Sequence, residues 1–376
     1  MVQLALTATI LFGALALASL TDLASAHPGE QHHNNALSSN DAATTTHGQP
    51  TRTARQKAQG ARHHPPRRHP QLRQANTASN NNNNARQLSV TSTVLATSHK
   101  SNLTGVTATI DAATLFNVDP KCVLESEVTQ GPCYVSSELI HTDVRESQAG
   151  VDLYAELQFI DVSTCELVAN LYVGFWHCNA TGVYSGIVAS GNSNSVDLTN
   201  VNNTFLRSLT PTDADGLVSF TTTFLGHYTS RAMHIHVLDS HDGTMLANGT
   251  YAGGEAASVG QLFFDQDLIA EVEQTAAYAV NKQETTLNSA DKILAEETAG
   301  EFDPVMEYAL LGDSVEDGVF AWISISVDTT VAKSVTGAAT LTANGGVMAS
   351  ASDRLQRSIG KRGWHGQRAS AWICGR

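Results

Sequence analysis

Two histidines one residue apart, His234 and His236, close the segment Gly226-His-Tyr-Thr-Ser-Arg-Ala-Met-His-Ile-His236. If Met233 to Leu238 is a strand, alternate side chains share a face, and the two Cα atoms stand about 7 Å apart at about 3.3 Å of rise per residue. Two imidazoles so placed can converge on one metal. Copper, zinc and cupin-type sites also use such a pair, and two polar residues on an exposed face would read the same way. Tyrosines shift the balance. Tyr228 stands six residues before His234, and Tyr184 follows a glycine turn in Trp176-His-Cys-Asn-Ala-Thr-Gly-Val-Tyr-Ser-Gly186. A phenolate is a hard anionic donor that suits ferric iron better than copper(I) or zinc, whereas neutral imidazole suits all three. Two of each would nearly balance the charge of a ferric ion.

Strands have to hold these groups, and the dominant sequence period is two. Val151, Leu153, Ala155, Leu157 and Phe159 alternate with Asp152, Glu156 and Gln158, the signature of a half-buried strand. Val218, Phe220, Thr222 and Phe224 repeat the pattern after the turn Thr212 to Gly216. Ala321, Ile323, Ile325 and Val327 form a late strand. A helix is expected over Asp267 to Val280, and Glu296 to Leu311 reads either way. Short strands separated by Gly, Asp and Asn turns predict an all-β fold: an antiparallel β-sandwich core with peripheral helices and disordered basic termini.

With these motifs in order, the chain resembles the intradiol ring-cleavage dioxygenases, the catechol and protocatechuate class, and above all their secreted fungal members. The resemblance runs from about Cys122 to Val327. It rests on Glu127-Val-Thr-Gln-Gly-Pro-Cys-Tyr134, Trp176 to Gly186, Asp213 to Tyr228, Arg231-Ala-Met-His-Ile-His236 and Val259-Gly-Gln-Leu-Phe-Phe-Asp265. It implies a non-heme Fe(III) held by Tyr184, Tyr228, His234 and His236, with Tyr228 as the ligand that leaves when substrate binds. Arg231 then stands beside the substrate ring, where a cation stabilises carbanion character. The implied reaction cleaves a small aromatic diol between its hydroxyl-bearing carbons with O2, giving a cis,cis-muconate-type diacid without an organic cofactor. Tyr134 is expected to wall the substrate pocket. Cys133 replaces the aromatic residue usual in the family, which opens space or adds a thiol there. Gly174 replaces an Asp often found two residues before the Trp176 position.

The 376 residues are 41% hydrophobic and 15% charged, with a net charge of -14. Residues 101 to 330 hold six Lys or Arg against 32 Asp or Glu, a balance of -26. Nucleic acid and acidic membranes are therefore excluded as partners of this part, while a homodimer stays open. Residues 1 to 26, with an apolar run from Leu4 to Leu17 before Ala24-Ser25-Ala26, read as a secretory signal. The expected location is extracellular, and sequons at Asn102, Asn179, Asn202 and Asn248 fit a glycoprotein. Residues 27 to 100 are His-, Asn- and Arg-rich and are expected to be a disordered arm, 101 to 330 the catalytic domain, and 331 to 376 a low-complexity basic tail. Among five cysteines, Cys165 and Cys178 are the expected disulfide. Three competing readings remain: a copper brace on His27, a superoxide-dismutase- or cupin-like site around His234, His236 and His241, and a non-catalytic extracellular binding protein.

Overall fold

Leu153, Leu157 and Phe159 are completely buried while Tyr154, Glu156 and Gln158 between them are half-buried, so the alternation of this segment becomes one long strand of a two-layer core. Each such large apolar side chain contributes about 1.5–3 kcal/mol by leaving water. A computed structural model of the chain describes residues 86–88, 90–116, 124–125, 127–189, 191–300 and 302–350. The signal segment, His27, the arm up to residue 85, Cys122, Cys374 and the tail from residue 351 lie outside the described residues. No described helix is long and apolar enough to cross a membrane.

In chain order the strands are β1 (Val135–Ser136), β2 (Asp152–Asp161), β3 (Tyr172–Trp176), β4 (Arg207–Pro211), β5 (Leu217–Thr223), β6 (Ile235–His241), β7 (Thr244–Met245) and β8 (Tyr251–Ala252). They continue with β9 (Glu255–Leu262), β10 (Glu307–Leu310), β11 (Val319–Val327), β12 (Ala339–Thr342) and β13 (Gly345–Met348). Helix α1 spans 90–96, and α2 (Ala112–Leu115), α3 (Gln266–Val272) and α4 (Lys292–Glu297) follow.

Two four-stranded sheets, ordered β10-β11-β2-β5 and β4-β3-β6-β9, share one apolar core that takes Leu157, Phe159 and Phe220 from the first and Val173, Phe175, Ile235 and Val237 from the second. The sandwich is therefore as expected, with one amendment. β11 runs parallel to β2 over nine residue pairs, so the first sheet is mixed. β2 and β11 are far apart in the chain, with the whole second sheet, α3 and α4 between them, and so long a connection permits a parallel neighbour where a hairpin does not.

Three boundaries differ from expectation. α3 ends at Val272, because the following turns carry Tyr278 into the core, where its hydroxyl donates to Phe224 O. The segment after Val331 is not all tail: β12 pairs with β1 and with β13, and Ala338 and Ala339 are buried. Small residues there fill the narrow space over β1, where composition alone reads as low complexity. Nor is the arm unstructured to residue 100, since Val94 and His99 are buried.

Candidate metal centre

Period two places the site. Arg207, Trp176, His236 and Gln261 lie in register across β4, β3, β6 and β9. Their neighbours Phe175, Val237 and Leu262 point into the sandwich core, so this row faces the other way, into a second cluster containing Trp176, Tyr184, Tyr228, Cys133 and Cys178. His234 immediately precedes β6.

Tyr184 and Tyr228 come from loops that meet through glycine. A side chain at Gly182 (φ 79°) would come within 2.5 Å of His227 O, and one at Gly226 within 2.4 Å of Ala180 O. Only bare backbone allows this approach. Asn192 and Asn200 then fix the tyrosine loop: both donate to Tyr184 O at 2.8 Å, and Asn192 Oδ1 accepts from Tyr184 N at 2.9 Å. Ser230, at φ 74°, closes the tight turn that bridges Tyr228 to Arg231.

Around His234 Nε2 the structure gathers Tyr184 Oη at 3.4 Å, Tyr228 Oη at 3.3 Å and His236 Nε2 at 3.1 Å. His234 Nδ1 donates to Ala232 O at 2.7 Å, which leaves the lone pair of Nε2 facing the other three atoms. One lone pair cannot satisfy three such neighbours. Two donors each about 2.1 Å from a common ion and 90–110° apart lie roughly 3.0–3.4 Å from each other, so each of the three spacings is compatible with a pair of ligands sharing one metal. Two phenols and two imidazoles are a donor set that fits ferric iron.

Burial and charge prepare the same outcome. Tyr184, His234 and His236 are at most 1% exposed and Tyr228 is 6% exposed, so Tyr228 stands nearest the way in. Burial holds both phenols well above the ordinary tyrosine range. Burial also holds both imidazoles far below theirs; the next cause is Arg231 for His234 and His234 for His236. The imidazoles are thus neutral electron-pair donors. The Arg231 charge lowers Tyr228 without offsetting burial, whereas a bound metal would reverse the pKa logic of such buried acids.

Arg231, 1% exposed, lies with Nη1 3.4 Å from His234 Nε2. Nε donates to Asp291 Oδ2 at 2.8 Å and Nη2 donates to Gln261 Oε1 at 2.6 Å. Asp291 also accepts from Ala232 N at 2.8 Å and caps α4. Sequence reading missed both partners. Asp291 before an apolar helical run is a visible N-cap, but nothing local says which arginine it reaches.

Tyr134 walls a cavity of about 370 Å³ with Leu238, Ser240, Tyr251 and Ala256, and its ring is 5.4 Å from that of Trp176. None of Tyr184, Tyr228, His234 and His236 lines that cavity. Cys133 is fully buried in the tyrosine cluster instead, and its carbonyl accepts from Arg207 Nη2 at 3.3 Å. Arg207 also donates to Ser185 O at 2.7 Å and pairs with buried Glu138, tying the Cys133 loop to the Tyr184 loop.

His241 stands apart from the centre, bonded to Asp242 and Val331 O. The expected disulfide is corrected: Cys165 is disulfide-bonded, but Cys178 is a free thiol that donates to Gly226 O at 3.2 Å. Cys178, 1% exposed, serves the close approach at Gly226, whereas Cys165 lies half-buried in the turn after β2.

No family model matches the chain, and no curated protein matches it. Among solved structures it is similar to an intradiol ring-cleavage dioxygenase from Tetranychus urticae, at 23% identity and a TM-score of 0.46, over 57% of this chain and 98% of that one. The dioxygenase domain of a carbohydrate-binding fusion from Streptomyces sp. SirexAA-E is similar at 18% identity and a TM-score of 0.36, over 55% and 98%. Catechol 1,2-dioxygenase from Pseudomonas arvilla C-1 is similar at 16% identity and a TM-score of 0.34, over 54% and 61%.

Proposed function

We propose that the chain is a secreted non-heme Fe(III) dioxygenase that opens catechol-type diols between the hydroxyl-bearing carbons with O2. The observation that carries this reading is the meeting of Tyr184, Tyr228 and His236 at 3.1–3.4 Å around the lone pair of His234. Those four residues would hold the metal, which when bound supplies Lewis acidity toward the diol oxygens and the electronic link between substrate and O2.

The protein's own part follows from its side chains. Tyr228, the most exposed of the four, is the group that gives way to substrate, and its Oη takes one hydroxyl proton of the diol. Tyr184 stays, because Asn192 and Asn200 grip its backbone. Arg231 puts a fixed positive charge beside the centre, where negative charge develops on the ring; in this dry site the interaction is far stronger than in water. Export rests on the apolar segment before Ala24-Ser25-Ala26.

Iron-reconstituted protein tests the reading with catechol, protocatechuate and hydroxyquinol. Muconate-type products from any of them, lost in Tyr184→Phe, support it. An iron-loaded protein that leaves all three untouched overturns it.

A further inference from the structure

Arg231 is held from two sides by one short helix. At the start of α4, Asp291 accepts from Arg231 Nε at 2.8 Å and Nη2 at 3.3 Å. At its end, Glu297 Oε1 accepts from the backbone N of Gln261 at 2.5 Å, and the Gln261 side-chain carbonyl accepts from Arg231 Nη2 at 2.6 Å. Gln261 Nε2 donates to Thr129 O at 3.1 Å, so the amide cannot turn over without losing both bonds. Asp291 and Glu297 are 4% and 0% exposed, which leaves no solvent to replace either contact. A hydrogen-bonded guanidinium anchored this way has one orientation.

The helix is in turn locked by the segment ahead of the sandwich. Gln87 Nε2 donates to Ala295 O at 2.8 Å, and the hydroxyls of Thr91 and Thr298 are 2.6 Å apart. Val94 is buried in one cluster with Phe263, Leu294 of α4, Val305 and Ala232, the residue next to Arg231. His99 fastens the end of the segment, its backbone N donating to Asp265 Oδ2 at 2.8 Å and its ring lying 2.7 Å from Asp265 Oδ1 and 3.2 Å from Asp303.

We infer that α4 is the positioning device for Arg231, with Glu297 as a positioning residue acting through Gln261, and that Gln87, Thr91, Val94 and His99 are its lock. The function of the device rests on the dioxygenase reading; its existence does not. The end of the segment that composition assigns to a disordered arm then belongs to the active-site architecture. A positioning error of the order of 1 Å lowers turnover about 100-fold, so even partial loosening is measurable.

The test uses the full chain carrying Glu297→Gln, Glu297→Ala, or Thr91→Val combined with Val94→Ala. Glu297→Ala is expected to lower kcat at least about tenfold with KM changed less than about threefold, the pattern of a lost transition-state contact. Glu297→Gln, which keeps an oxygen acceptor for Gln261 N, restores most of that loss. The double variant lowers kcat by a smaller factor, about three- to fivefold. All three keep the visible iron absorption of the parent. Hydrogen exchange at the Gln261 amide, read without iron or substrate, speeds up in Glu297→Ala and not in Glu297→Gln.

Parent-like kcat and amide exchange in Glu297→Ala overturn the inference, as does Gln being no better than Ala, or loss of iron absorption in step with kcat. If the parent itself neither absorbs nor cleaves diols, the proposed function fails, and the exchange data alone then decide whether the clamp exists.

Discussion

The indole of Trp176 lies flat on the imidazole of His236, with ring centroids 4.8 Å apart and planes within 2° of parallel. The two are direct neighbours across β3 and β6, so sheet register itself sets the plane of the His236 ring. Trp176 is completely buried and also meets Tyr134. Replacing it by Leu opens a cavity and frees the imidazole. The expected cost is about 3 kcal/mol in urea unfolding and a 10- to 100-fold weaker hold on iron, measured by competition with a chelator. Unchanged iron affinity would remove the orienting role.

Asp291 neutralises Arg231 where neither side chain sees solvent. Asp291→Ala leaves a buried charge unpaired and removes the cap of α4, so unfolding free energy should drop by about 3–5 kcal/mol. Asp291→Asn keeps the cap and loses less. A loss below 1 kcal/mol in the alanine variant would contradict the pairing.

Glu125 and Asp239 share the Ser258 hydroxyl, whose single proton can serve only one of them. Burial pushes Asp239 up to about 7; burial and then the nearby Asp239 charge push Glu125 up to about 8. With folded values raised, these acids contribute stability that is complete below about pH 4 and is lost as pH rises through 7 to 8. His99 works in the same direction: burial opposes its charge, but Asp265 and Asp303 raise it to about 9, so its contribution is full below 6.5 and lost through 9. Urea midpoints should fall from pH 6.5, above which the lowered imidazoles are neutral both folded and unfolded, to pH 9, with Glu125→Gln flattening the lower part. A midpoint that rises over that range would refute the assignment.

Asn179 is a sequon whose side chain already has work. Nδ2 donates to Gln148 Oε1 at 2.9 Å, and Oδ1 accepts from Thr181 N and Val183 N at 3.1 and 3.0 Å, shaping the turn before Tyr184. Asn102, Asn202 and Asn248 are exposed. Glycopeptide mass spectrometry of protein secreted from a glycosylating host should find Asn179 bare. Full occupancy there in active protein would break the account of that turn.

What the residues disclosed and what they hid divide along sequence distance. Period-two alternation exposed β2, β5 and β11, and His234 and His236 were visible because a strand makes i and i+2 neighbours. The parallel course of β11, the Cys165 partner and the Asp291–Arg231 pair were hidden, since each depends on a contact that no local pattern encodes. Composition misjudged residues 90–99 and 338–348 for a related reason. Few apolar side chains suffice when, like Val94 and Ala339, they are completely enclosed by a surface built elsewhere.

The most direct measurement is the visible spectrum of the protein titrated with ferric iron, beside Tyr228→Phe and Tyr184→Phe. One equivalent of iron should give a broad phenolate-to-metal band and a burgundy colour, altered by each substitution and shifted when catechol is added. A colourless protein that binds one equivalent of iron, or a band that neither substitution changes, would show that these tyrosines do not hold the metal.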